Sequence, residues 1–255
     1  MKKFYVVTRD RELRRHPLVA KLREQIIFTN DIKKAESILV LGGDGTLLQT
    51  VRRFRKFGKP FFGLNFGHVG FLMNEPIEKA IRELAIGETS LITVNLLEAM
   101  ICDQRGRSLG REEAFNEFYF ERAGTQMAHL EVRVNRKARF LPLFADGIVV
   151  CTPAGSTAYN AAAGGQVLPV ENKAIVLTGI CPAVFHHWRS SILPADSVIE
   201  IAAVEPKKRP VRLMADGIKI PGAARIVVRS SDSIVRLGFV RSQDFREKVL
   251  RLQFC

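Results

Sequence analysis

The stretch "ILVLGGDGTLLQTVRRF", residues 38–54, decides how the first part of this chain folds. The apolar run Ile38–Leu41 reads as a buried strand that ends at Gly42 and Gly43. Beyond it, apolar residues at 47, 48, 51 and 54 keep the spacing of one helical face, and Gly58 stops the run. A strand, a glycine turn and a helix in that order make half of a βαβ unit. Glycines let a ligand approach the backbone with no Cβ in the way, and a helix start offers unpaired N–H groups and partial positive charge, which suits phosphate. A plain strand–helix turn with Asp44 as a cap is the alternative reading of this stretch alone. The P-loop ending, the Gly-x-Gly-x-x-Gly fingerprint and the later acids of an EF-hand are all missing. A carboxylate beside phosphate-binding amides repels the ligand unless it has a task. Asp44 could hold Mg²⁺, accept a proton from an attacking hydroxyl, or bind that hydroxyl.

Outward from this turn, strand and helix signals alternate. "FYVVT" (4–8), "IIFTN" (26–30) and "PFFGLNFG" (60–67) read as strands, and 16–25, 31–37 and 76–87 as helices, the last with Pro76 in its first turn. This predicts a parallel sheet with covering helices. Near residue 92 the rhythm changes. Strand-like segments follow at 94–102, 115–122, 129–135, 138–144, 147–151, 174–180, 197–204, 210–214, 217–220, 225–230 and 234–239, with one short helix within 157–165. The expected architecture is therefore an α/β N-terminal domain with a parallel sheet (1–92) and a β-rich C-terminal domain (93–239), with 240–255 packing back on the first.

Lys and Arg outnumber Asp and Glu by 39 to 26, a formal charge of +13. That surplus suits an anionic partner, or simply a solvated surface. The basic residues are dispersed through "RDRELRRH", "VRRFRKFGK" and "EPKKRPVR", without aromatic interleaving or zinc-finger spacing, so no nucleic-acid partner is expected. No apolar segment approaches the ~20 residues of a membrane span. The four cysteines, at 102, 151, 181 and 255, are far apart, as in a cytoplasmic protein with reduced thiols.

Further polar clusters stand out. "FNEFYF" (115–120) places Asn116 and Glu117 in an aromatic strand, where one of the pair must face inward and needs a partner. A ligand ribose or base would serve, and so would a buried protein amide. "TPAGSTAYNAAAGG" (152–165) stacks hydroxyls and small residues between a strand and a short helix. Ser156 and Thr157 could cap that helix or bind a ligand, and Tyr159 could line a flat ring. "ADG" occurs at 145–147 and 215–217, a common hairpin signal. The His186–His187 pair lacks companions at metal-ligand spacing and reads as structural.

Taken together, "GGDGT" (42–46), "GLNFGHVGFL" (63–72), "NE" (116–117), "FADGIVVCTP" (144–153), the 152–165 stretch and "TGICP" (178–182) resemble the NAD kinase family in order and approximate spacing. "GGDGT" alone is shared with diacylglycerol and sphingosine kinases. A lipid kinase and a non-catalytic dinucleotide-binding protein are therefore the alternatives; the small, polar "GSTAY" argues against an acyl pocket. The resemblance implies phosphorylation of the adenosine ribose 2′-hydroxyl of NAD by ATP or polyphosphate, with Mg²⁺ carried by the nucleotide, giving NADP. It also implies a homodimer or homotetramer with NAD bound between two domains. By position, Asp44 is then the catalytic carboxylate, and Gly43, Gly45 and Thr46 shape the phosphate turn. Asn116 and Glu117 hold the adenosine part, and Asp146 meets the nicotinamide side. Ser156, Thr157, Ala158 and Tyr159 line the adenine and ribose pockets, and Asp216 closes the site. The chain departs from the family at Ala154, at Phe144, a position linked to the choice between NAD and NADH, and over 183–191, which includes Arg189.

Overall fold

The computed structural model describes residues 1–183, 187–243 and 247. In chain order its elements are β1 (Lys3–Thr8), α1 (Pro17–Gln25), β2 (Ile27–Thr29), β3 (Ser37–Gly42), α2 (Asp44–Phe54), β4 (Phe61–Asn65), α3 (Glu78–Ile86), β5 (Thr89–Cys102), β6 (Ser108–Ala114), β7 (Glu117–Arg122), β8 (Ala128–Val134), β9 (Lys137–Ala145), β10 (Gly147–Cys151), α4 (Tyr159–Ala162), β11 (Ala174–Ile180), β12 (Ser190–Pro194), β13 (Ile199–Ala203), β14 (Val211–Ala215), β15 (Ile218–Ile220) and β16 (Arg225–Val240). The chain divides into two units, one of Met1–Val94 with the chain from Val235 onward, the other of Asn95–Ile234. Strands β5 and β16 each run through the division.

The first unit is a parallel sheet in the order β2-β1-β3-β4-β16, every neighbouring pair parallel. Its central strand β3 carries Ile38, Leu39, Val40 and Leu41, all at most 1% exposed, because helices cover a parallel sheet on both faces. The helices supply Val19, Leu22, Leu47, Val51, Ile81 and Leu84 to the interior. Pro17 opens α1, and Gly87, at φ 86°, closes α3. Asn74 is buried and ties two strands together. Its Nδ2 donates to the carbonyls of Gly63 and Gly238, both at 3.0 Å, and its Oδ1 accepts from Val240 N at 2.9 Å.

Two local expectations are corrected here. The 31–37 stretch holds a turn over residues 32–34 and the start of β3 at Ser37, not a helix. The link from Thr29 to Ser37 only crosses β1, and Asp31 Oδ1 accepts from Lys33 N in an Asx turn. Pro76 precedes the N-cap of α3, Ile77, instead of lying in its first turn. Residues 241–243 run along α3: Ser242 donates to Glu83 Oε2 through N and Oγ, and Glu75 N donates to Gln243 Oε1. Apart from Glu247, the rest of the 240–255 segment lies outside the described residues.

The second unit is antiparallel. One sheet has the order β12-β11-β10-β7-β14-β15; the other joins β9, β8, β13 and the first part of β16. Inward residues of both, among them Leu130, Val132, Phe118, Phe120, Ile148, Val150, Ile199 and Leu213, fill one core. Strands β6 and β12 were not expected, and 225–240 is one strand instead of two. A parallel α/β part and a β-rich part are thus both present, as the sequence predicts. Among the described residues, no helix is long and apolar enough to cross a membrane.

Candidate active site

In the first unit, β3 delivers the chain to Gly43, which is the N-cap of α2; Asp44 is the first helical residue and not the cap. The carbonyl of Gly43 takes the N–H groups of Thr46 and Leu47, at 2.9 and 3.1 Å. Thr46 packs over Gly42, where a Cβ would lie 2.8 Å from its hydroxyl. Nothing lies within 4 Å of where a side chain on Gly45 would begin, so that face of the helix start is open. The half-buried Asp44 carboxylate accepts two backbone N–H groups: Phe71 N to Oδ2 at 2.7 Å and Leu72 N to Oδ1 at 3.0 Å. The 65–72 loop is folded against the turn. Phe66 N donates to the carbonyl of Gly42, and Gly70, at φ 64°, sits so close to Asn65 that a Cβ would overlap its amide. "GGDGT" and "NFGHVGFL" therefore form one structure, with Asp44 as its hinge pin.

In the second unit, two distant stretches converge on the start of β7. Asp216 lies in the β14–β15 turn with φ 47°, followed by Gly217 at φ 75°, the left-handed pair of an Asp-Gly hairpin. Its Oδ2 accepts from Phe115 N at 2.8 Å, and its Oδ1 from Asn116 N at 2.8 Å and Glu117 N at 3.2 Å. From the other side, Thr152 N donates to the carbonyl of Asn116, and Thr152 Oγ1 donates to that of Phe115 at 2.7 Å while accepting from Gly155 N.

Within this wall, Asn116 Oδ1 and Glu117 Oε2 are buried without a hydrogen-bond partner among the described residues. Buried polar atoms are nearly always paired, which makes these two adjacent residues candidates for binding a ligand. Burial, reinforced by the Asp216 carboxylate, pushes the Glu117 carboxyl up to about 8, so it is largely neutral at pH 7 and can donate.

The following stretch divides between scaffold and surface. Ser156 is fully buried; its Oγ donates to the carbonyl of Pro153 at 2.6 Å and accepts from Leu168 N at 3.0 Å. Thr157 and Tyr159 are half-buried. The Tyr159 ring meets Tyr119 edge-on with centroids 4.7 Å apart, and burial raises both hydroxyls above their usual range. Ala158 links the 3-10 turn to α4 in an unusual backbone conformation, φ −92° and ψ −128°. Asn160 holds the loop from inside: its Nδ2 donates to the carbonyls of Ser156 and Gln166, and its Oδ1 accepts from Thr178 Oγ1. Asp146, between β9 and β10, pairs with Arg122 at 2.6 Å.

Thus Asn116, Glu117, Asp216 and the 152–159 stretch meet in the second unit, whereas Asp44, Gly43, Gly45 and Thr46 belong to the first. Sequence reasoning missed Thr152, Asn160 and Arg122. The signal for the first two was present, since polar residues stand inside an otherwise small and apolar motif. Phe144 stacks edge-on with His129, centroids 4.3 Å apart. Of the atypical 183–191 segment, residues 184–186 lie outside the described residues, and with them His186. The Arg189 carbonyl accepts from Gly179 N.

The chain is similar to known proteins over most of its length. The family profile described as the ATP-NAD kinase N-terminal domain matches residues 12–86, and that of the ATP-NAD kinase C-terminal domain matches 115–237. An NAD kinase of Cereibacter sphaeroides is 38% identical over 88% of this chain and 87% of its own length. One of Xanthomonas campestris is 37% identical over 87% and 86%. Two solved structures share the fold. A yeast NADH kinase complexed with NADH has a TM-score of 0.80 at 21% identity, covering 100% of this chain and 88% of the other. An Archaeoglobus fulgidus NAD kinase in complex with ATP has a TM-score of 0.74 at 23% identity, covering 98% and 99%.

Proposed function

This chain belongs to the NAD kinase family, and we propose that it transfers the terminal phosphoryl group of ATP to the 2′-hydroxyl of the adenosine ribose of NAD, giving NADP. Family membership supports a kinase acting on NAD, and the family's description names ATP. The observation that carries the site assignment is the pair of buried, unpartnered atoms Asn116 Oδ1 and Glu117 Oε2. One offers an acceptor and the other, on a largely neutral acid, a donor or acceptor. That is the set needed for a nucleoside bearing hydroxyls and ring nitrogens.

In this reading Asn116 and Glu117 hold the adenosine, with Thr157, Ala158 and Tyr159 as the neighbouring wall and Ser156 bracing it from behind. Asp146, aimed by Arg122, meets the nicotinamide side, and Asp216 belongs to the same wall. Gly43, Gly45 and Thr46 present the open helix start to phosphate. Asp44 receives the attacking hydroxyl, orienting it and taking its proton; its two backbone N–H bonds fix the carboxylate's direction. ATP is used as its Mg²⁺ complex, which neutralises charge on the transferred group. The cation is carried by the nucleotide phosphates. The three described cysteines are unpaired, as suits a cytoplasmic enzyme, and a homodimer or homotetramer is the proposed assembly.

The test is one assay with NAD or NADH as acceptor, crossed with ATP or polyphosphate as donor, with the product's phosphate position read by phosphorus NMR. NADP from NAD and ATP is expected. A phosphate at any other position, or no turnover with ATP, refutes the reading.

A further inference from the structure

Asp216 has no chemical task in the phosphoryl transfer. Its side chain faces protein backbone: three consecutive amides, those of residues 115–117, converge on its two carboxylate oxygens. The residue is 8% exposed and adopts φ 47°, a conformation that costs a non-glycine residue energy unless its surroundings hold it there. Asp216 N also donates to the carbonyl of Glu117, at 3.0 Å, so turn and strand grip each other in both directions. On the opposite side the Asn116 carbonyl is held by Thr152 N at 2.9 Å. The peptide groups that aim the Asn116 and Glu117 side chains are thus clamped from two sides, by elements about a hundred residues away in one case and about thirty-five in the other.

We propose that Asp216 is a positioning residue: its carboxylate sets the directions in which Asn116 and Glu117 point toward NAD, without itself contacting NAD. This rests on the reading that Asn116 and Glu117 hold the nucleoside. Loss of the carboxylate releases one side of the clamp and leaves the Thr152 side and the hairpin in place. NAD recognition should then loosen while phosphate-donor recognition, in the other unit, is untouched.

Two substitutions separate the carboxylate from the backbone conformation. Asp216→Asn keeps the shape but turns an NH₂ toward the amides. Asp216→Gly removes the side chain at a position where glycine is at ease. These are compared with Asn116→Ala, Glu117→Gln and the Asp216→Asn/Asn116→Ala double variant, by melting temperature and by KM for NAD and for ATP. In both Asp216 variants KM for NAD is expected to rise about tenfold, with KM for ATP within about twofold of the starting enzyme. The double variant should be less impaired toward NAD than the product of the two single effects, because the Asn116 contact is lost only once.

Multiplying effects in the double variant overturn the proposal and leave the nucleoside reading intact. So do an unchanged KM for NAD in both Asp216 variants, equal rises in both KM values, or failure of both variants to fold. If Asn116→Ala and Glu117→Gln leave KM for NAD unchanged, the nucleoside reading itself fails, and this role with it.

Discussion

Gly155 lies so close to the carbonyl of Asn116 that a Cβ on it would stand 2.3 Å from the oxygen and 2.6 Å from the carbon. No side chain fits between the "NE" strand and the "TPAG" turn, and both neighbours are backbone, which cannot rotate aside. Gly155→Ala is therefore expected to separate the two stretches or to fail in folding. Overpacking of this kind costs about 1–3 kcal/mol, and for a chain of this size each kcal/mol lowers Tm by about 2–4 °C. NAD affinity should fall with it. Calorimetry of the variant, with and without NAD, checks both; an unchanged Tm with normal NAD binding contradicts the close approach.

Glu117 makes a separate prediction about pH. Its carboxyl is raised from the ordinary 4.5 to about 8 in the folded chain, by burial first and by the Asp216 carboxylate second. Between those values the unfolded chain has lost the proton and the folded chain keeps it, so folding takes up a proton. Stability should then fall as pH rises across that window, with this group contributing about 1.4 kcal/mol per pH unit. Below pH 4.5 both states are protonated and the slope vanishes. Urea titrations from pH 4 to 9 are expected to show this contribution in the natural chain and to lack it in Glu117→Gln, which should also be the more stable protein at pH 7.5. Parallel profiles for the two proteins would show that Glu117 ionises normally.

Much of this was legible in the sequence, for physical reasons. The run Ile38–Leu41 and the spacing of Leu47 and Val51 state their burial directly, so the βαβ unit can be read locally. The helix expected over 31–37 fails because Asp31 starts an Asx turn as readily as a helix. Strand β6 is hidden because "SLGREEA" is exposed over most of its length and shows no apolar alternation. The polar "SSDS" reads as a break in β16, yet Ser231 stays in the strand, donating to Glu113 and accepting from Ser233 N. At the site, Asn116, Glu117 and the 152–159 stretch announce themselves as polar residues among apolar ones. Their meeting does not, because it depends on β7 pairing between β10 and β14, a register that no local pattern encodes.

Asn74 shows the same limit and can be tested simply. One amide joins the carbonyls of Gly63 and Gly238 and the N–H of Val240 across β4 and β16. Asn74→Ala leaves buried groups unpaired, at about 1–3 kcal/mol each. Asn74→Asp should cost more than Asn74→Ala, because it sets an acceptor against two carbonyls and buries a charge. Thermal unfolding of the two variants gives the ranking; the reverse order would mean that the amide's donor side contributes little.

Asp44 carries the chemical prediction. Asp44→Asn preserves shape but turns an NH₂ toward either Phe71 N or Leu72 N, and it removes the group that takes the proton. Loss of a general base costs about 10²–10⁴ in rate. Turnover is therefore expected to fall by about that factor or more, while the protein stays folded and calorimetry still detects NAD. Because the amide also disturbs one loop contact, part of the loss could come from the 65–72 loop and not from the chemistry. Phe71→Pro, which deletes one of the two N–H donors and keeps the carboxylate, separates these causes. If its rate falls as far as that of Asp44→Asn, the carboxylate acts chiefly by holding the loop. If it keeps most of its activity, the loss in Asp44→Asn belongs to the proton and the hydroxyl it directs. Full activity in Asp44→Asn removes Asp44 from the reaction altogether.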